Sequence, residues 1–458
     1  MNAGSSSHGL ASLDDVIKHI TTSNNASTLK AYLNSFAPKE SRETILASTI
    51  GSGQDPLTLL DPSRNTLGYL YILSARLNST VTATPSLAVI ESFCSNFDPQ
   101  QARYAPDRVT LLARGIVRAS ESSNNAKYAL SPLFSLVTRY PPHLSYLTTL
   151  HPIFLKLCVS TRHFTAALPV LSVPITQVDT SLSDLHYNDN LVYHYAGGMA
   201  LAALKQWHKA EEFFEICVSA PALAPAAIQL EAYKKLVLVQ LIQYGEVASL
   251  PKYTLPAIPR MFKSTPYGNL LKLYPTQISN LRTLVAKEHD LFQQERNLGL
   301  INQAIDRAPV WLIKKLTATY LTLGLSDIGR EVGIDNSEEV REIILSMIDS
   351  GEINASISAD GTVTFADPVP QFTKEQLDRM LVEAQQTSRE LLHVERHMNT
   401  SKEYLTKAMK HKDDAGWGAA DEDMFPPGGG MGMGGMGMGM GMGMGMGSHG
   451  WADDVTFS

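Results

Sequence analysis

The sequence predicts a mostly α fold. An N-terminal helical-repeat solenoid runs into a winged-helix module, followed by a long C-terminal helix and a disordered tail. Three observations carry this. From about residue 10 to 300, apolar residues recur at three- and four-residue intervals, in segments separated by short breaks rich in Pro, Ser, Asn and Asp. Residues 325–365 then read helix, turn, helix, hairpin. From Lys374 onward, apolar residues return every seven positions.

The segments "TLGYLYILSARLNS", "PSLAVIESFCSNF" and "PDRVTLLARGIVRAS" show the helical spacing well. Many helices of similar length with short connections suggest antiparallel pairs, each stacking on its neighbours because a pair cannot bury its apolar face alone. The stretch "YAGGMALAALKQWHKAEEFFEICVSAP", Tyr195 to Pro221, is more specific. Gly198, Ala210, Phe214 and Cys217 are spaced as in a tetratricopeptide-like hairpin, where small residues let two helices approach and aromatics fill the groove. Leu147 to Val173 is a weaker neighbour of the same kind.

"APVWLIKKLTATYLTLGL" reads as an amphipathic helix that opens a new module. Ser326 can cap a short helix that stops near Gly333. Asn336 and Glu339 have capping-box spacing for the next helix, which ends near Gly351. "INASIS" and "TVTF" alternate around Ala359-Asp360-Gly361, a hairpin signal.

A winged helix invites comparison with nucleic-acid binders, whose second motif helix enters the major groove. Here that helix carries Glu338, Glu339, Glu342 and Asp349 against one Arg341, and the wing offers no Lys or Arg. Acidic side chains facing phosphates oppose binding. The whole chain, 458 residues with 44% hydrophobic residues and a net charge of −7, is a poor polyanion binder. The other use of a wing is strand pairing with another chain. Ile353, Ala355, Ile357, Val363 and Phe365 are the candidate wing-edge interface residues.

Cys94, Cys158 and Cys217 form no pair motif and suit packing in a reducing compartment. "MNAGSSSHGL" lacks a basic and an apolar region, so no secretory signal is expected. Transmembrane helices are not expected, because no apolar run approaches about 18 residues. No His-x-His or His-Glu-x-x-His occurs, and no phosphate loop. His393 and His397 stand one helical turn apart, but no third ligand is near, and a solvated helix face accounts for them. No catalytic residue, cofactor or metal site is therefore assigned.

A capping box of Thr373 and Gln376 opens a helix predicted to run from Lys374 to Lys410. Leu377, Ala384, Leu391, Met398 and Leu405 recur at seven-residue spacing. Met380, Thr387, Val394, Ser401 and Ala408 follow each by three. Only Thr387 and Ser401 are polar in this set, so the stripe requires cover. Leu377, Met380, Ala384, Leu391, Val394, Met398 and Leu405 are the candidate interface residues of this helix. The tail's run of alternating Gly and Met has no branched residues to build a core and is predicted disordered. Trp417, Phe425, Trp451 and Phe457, set among acidic residues, are candidate docking motifs.

Helical repeats, winged helix and long helix in this order resemble the PCI-domain family, whose members are subunits of the proteasome lid, the COP signalosome and translation initiation factor complexes. "LEAYKKLVLVQLI", "LPKYT", "NLGLINQ" and "MIDSGEINASIS" are similar to the signalosome members in particular. On that resemblance, residues 1–190 are N-terminal helical repeats and 191–307 the helical part of a PCI domain. Residues 308–367 are its winged helix, 371–411 a bundling helix and 412–458 the tail. The resemblance further implies a non-catalytic scaffold in a hetero-oligomer, cytoplasmic and nuclear, without nucleic acid or membrane. Its partners would be other PCI subunits and the metalloprotease-containing remainder of the COP signalosome. That complex removes the ubiquitin-like modifier Nedd from cullins of cullin-RING ubiquitin ligases. The alternatives are a lid or initiation-factor subunit and, more distantly, a nucleic-acid-binding winged helix.

Overall fold

A computed structural model of the chain describes residues 12–23, 25–51, 53–79, 83–366, 372–402 and 404–406. The tail, its four aromatics and Ala408 lie outside these residues. The described chain falls into two units, one ending at Phe365 and the other containing the C-terminal helix.

In the first unit, helices follow one another with short turns from Leu13–Thr22 to Leu298–Thr317. One continuous apolar core runs from Val16 to Ala308, across the 190/191 boundary without a break. The helix Thr66–Asn78 has its first twelve residues buried, which its nearly unbroken apolar run requires. The hairpin read from the glycine–aromatic spacing is present as Tyr187–Ala203 and Trp207–Ser219. A Cβ on Gly198 would sit 2.7 Å from the Phe214 ring, and one on Gly197 would sit 2.7 Å from Phe213. The two glycines are what lets the helices close to this distance. The neighbouring hairpin is Leu150–Ser160 with Phe164–Leu171. A parallel two-residue bridge, Tyr146–Leu147 with Gln177–Val178, is the only strand pair among the described residues ahead of the winged helix.

The helix Leu298–Thr317 belongs to both parts of this unit. Ile301, Ala304, Ile305 and Ala308 pack into the repeat core, while Ile313 enters a second core with Leu325, Ile328, Val332, Val340, Ile344 and Met347. It stops at Thr317, earlier than its amphipathic spacing predicts, because Thr322–Gly324 leaves the helix to form a strand. The first winged-helix turn also differs from its sequence signal. The helix Leu325–Val332 has Gly324 at its N-cap, so Ser326 lies inside it and caps nothing. Gly333 ends it with φ of 78°, a left-handed stop that suits glycine. Asn336 caps Ser337–Asp349 through Glu338, without the reciprocal bond from Glu339.

The second unit is the helix Lys374–Thr400. Its capping box forms, with Thr373 accepting from the Gln376 N–H and Gln376 accepting from that of Thr373. It ends ten residues short of the predicted Lys410. Ser401 adopts an extended conformation and its Oγ accepts from the Tyr404 N–H, which starts a new turn.

Candidate interaction surfaces

The winged-helix sheet has three strands in the order Thr322–Gly324, Thr362–Ala366, Asn354–Ile357. The hairpin was predicted from sequence, but the third strand was not. It pairs antiparallel with the hairpin, Leu323 opposite Val363. This corrects where the predicted edge lies. Val363 and Phe365 are on the middle strand, with both side chains buried, and Ile353 is buried beside them. These three fill the module's own core, because the alternation that marks a strand also aims every second residue inward. A proline at 363 would therefore break the module's own ladder. The sheet's two edges are Thr322–Gly324 and the wing strand Asn354–Ile357, where Ala355 and Ile357 are half-buried while Asn354 and Ser356 face solvent.

On the helix Ser337–Asp349, Glu338, Glu339, Glu342 and Asp349 are all exposed, and Arg341 reaches back to Glu338 at 3.9 Å. The face that a nucleic-acid binder would turn to the major groove is net acidic.

The C-terminal helix presents the second surface. No residue of Lys374–Thr400 is buried. Leu391 is 68% exposed, Val394 52% and Met398 50%. Leu377, Met380 and Ala384 lie exposed on the same helix, whereas Leu405 is exposed beyond the break at Ser401. His393 and His397 are exposed on it as well.

A third feature was not read from sequence as a site. Two of the family-like stretches, "LEAYKKLVLVQLI" and "NLGLINQ", meet at a buried polar network. Lys234 Nζ donates to Glu231 at 2.6 Å and to Glu295 at 2.7 Å. The Tyr267 hydroxyl donates to the other Glu295 oxygen at 2.7 Å and accepts from Asn297 Nδ2 at 2.7 Å. Lys235 Nζ donates to Asn297 Oδ1 at 2.7 Å and faces the Tyr195 ring. Burial lowers the Lys235 amine to about 8, only partly offset by the charges of Glu231 and Glu295. Burial pushes the Tyr267 phenol up, and Glu295 adds to that. Buried charges persist only when paired and hydrogen-bonded, so this network fixes one mutual placement of the helices it joins. The available signal was the Lys234-Lys235 pair directly ahead of the apolar run Leu236 to Val239.

A helical solenoid whose last helix carries a winged helix with an acidic motif helix defines a PCI-domain protein. The PCI domain model matches residues 277–367. The model for the N-terminal helical repeats of COP9 signalosome complex subunit 3 matches residues 13–258. The chain is 31% identical over 395 residues to COP9 signalosome complex subunit 3 of Drosophila melanogaster, covering 78% of this chain and 86% of the relative. To that of Arabidopsis thaliana it is 32% identical over 382 residues, covering 81% and 87%. The chain belongs to the COP9 signalosome subunit 3 family.

Proposed function

We propose that this chain is a non-catalytic scaffold subunit of a COP9 signalosome, cytoplasmic and nuclear, that supports removal of Nedd from cullins of cullin-RING ubiquitin ligases. The observation that carries the scaffold reading is the uncovered apolar stripe of Lys374–Thr400. A helix of this length with Leu391, Val394 and Met398 in water gains most of its stability from whatever covers that stripe. Corresponding helices of other PCI subunits would cover it as a bundle. The outer wing strand Asn354–Ile357, with one edge open, would add strand pairing to a neighbouring PCI subunit. Hydrolysis would belong to the metalloprotease-containing remainder. The names of the relatives support membership in this complex.

Hydrogen exchange over residues 374–400, free and assembled, tests the bundle. Strong protection on assembly is expected, and equal protection in both states would remove the idea. Purification from native cells with mass identification of the companions separates a signalosome from a proteasome lid or an initiation-factor complex. The acidic face of Ser337–Asp349 supports the absence of nucleic acid from the partners. A titration with duplex DNA and RNA near physiological salt should show no submicromolar, salt-sensitive binding.

A further inference from the structure

We propose that Pro309 and Glu352 form a latched elbow that sets the angle between the helical repeats and the winged helix. Pro309 sits inside Leu298–Thr317 where the helix passes from one core to the other: Ala308 belongs to the repeat core, Ile313 to the winged-helix core. Proline has no N–H, so the Ile305 carbonyl lacks its helical donor, and the ring crowds that carbonyl. The one helix joining the two parts is therefore weakest at their boundary.

Two ties straddle that point, one running in each direction. Arg307, on the repeat side, reaches into the winged helix. Its two terminal nitrogens donate to the two Glu352 oxygens at 2.7 and 3.1 Å, a bidentate pair. Lys314, on the far side of Pro309, approaches the same carboxylate at 3.8 Å. Glu352 is aimed at them by Gly351, whose φ of 69° ends the preceding helix. Burial raises the Glu352 carboxyl pKa. The Arg307 hydrogen bonds and the charges of Arg307 and Lys314 more than offset this and hold it below its ordinary value. Trp311, on the winged-helix side, reaches back to the repeats. It packs on Gly245, where a Cβ would come within 2.4 Å of the indole. Arg307 and Lys314 lie 5.2 and 4.8 Å from the Trp311 ring. One carboxylate thus holds both cations that flank the Trp311 ring, which touches the repeats at Gly245.

The latch and the pivot play different roles. With Glu352 charged, the two ties and the helix define one angle. Without it, Arg307 and Lys314 lose their shared anchor, and the helix bends at Pro309. The angle matters because it sets the direction in which the winged-helix sheet is presented.

The test uses the full chain carrying spin labels at Lys209→Cys on the repeats and Ser346→Cys on the winged helix, both exposed; the native cysteines are buried. Double electron–electron resonance should give one narrow distance distribution. Glu352→Gln should broaden it roughly twofold or more as a second orientation becomes populated. Arg307→Gln should do the same from the other side of the pivot, and it decides the matter if Glu352→Gln loses helix content by circular dichroism. Adding Pro309→Ala to Glu352→Gln should narrow the distribution again, because the helical hydrogen bond returns. Unchanged distributions in the charge variants would overturn the latch. A broadening that Pro309→Ala leaves intact would overturn the pivot.

Discussion

Two helices with similar apolar periodicity meet different fates. Leu298–Thr317 spends its face on two cores and buries Ile301, Ala304, Ile305, Ala308 and Ile313. Lys374–Thr400 has an equally regular stripe and buries nothing. Periodicity states that a face needs cover; it does not state whether the cover comes from the same chain. The composition around the stripe differs in kind. The first helix holds small residues, Ala304 and Ala308, that permit close approach to a neighbour. The second surrounds Leu391 and Met398 with Arg389, Glu390, Glu395 and Arg396, which keep an uncovered helix in solution.

This contrast can be broken most forcefully in the repeats. Phe214→Ala empties a fully buried ring position against Gly198 and should cost about 3–5 kcal/mol, seen as a large drop in denaturation midpoint of the isolated chain. A loss below about 1 kcal/mol would mean that the hairpin is not the tightly packed element described.

The buried network gives a pH-dependent prediction. Lys235 titrates at about 8 in the folded chain against 10.5 ordinarily, so the unfolded chain binds more protons between these values. Folding carries the full penalty of a buried ammonium below about pH 8. The penalty is relieved as pH rises toward 10.5. Stability of the native chain relative to Lys235→Met should therefore rise by roughly 3 kcal/mol across that window. A flat difference would mean that the amine stays ordinarily basic.

Gly198→Ala is a smaller test of the same packing. Alanine favours helix by about 1 kcal/mol over glycine. Its methyl would nevertheless lie 2.7 Å from Phe214, and overpacking costs typically about 1–3 kcal/mol. Net destabilisation is expected in urea titration, and a gain in stability would show that the interhelical groove has slack.

The smallest effect is expected in the exposed helix. Leu391→Ala with Met398→Ala should change the isolated chain's unfolding by no more than about 0.5 kcal/mol, as for other exposed positions. The same pair should weaken incorporation into the complex, measured by native mass spectrometry. A large effect on the isolated chain would mean that this stripe is covered from within.

Much of the fold was legible because its signals are local. The three-and-four spacing and the Thr373–Gln376 cap depend on residues within a turn or two of one another, and the glycine–aromatic register of Tyr195 to Pro221 on two helices joined by a short turn. The alternating wing was legible for the same reason. What sequence missed depends on distant groups. Thr322–Gly324 is a strand because Thr362–Ala366 lies alongside it. Its own composition continues a helical pattern and gave no warning. Val363 and Phe365 were read as an edge, because alternation reveals two faces and is silent on which strand lies in the middle.

The sequence by itself determined the helical pairs, the winged-helix order and the acidic character of Ser337–Asp349. Each follows from backbone periodicity, turn chemistry or charge carried in neighbouring residues. Only the tertiary structure decided that Lys234 and Lys235 meet Glu295 and Asn297 about sixty residues later. Only it decided that Glu352 returns to Arg307 across Pro309. A buried charge is tolerable solely through partners, and which partners arrive is settled by how separate helices pack.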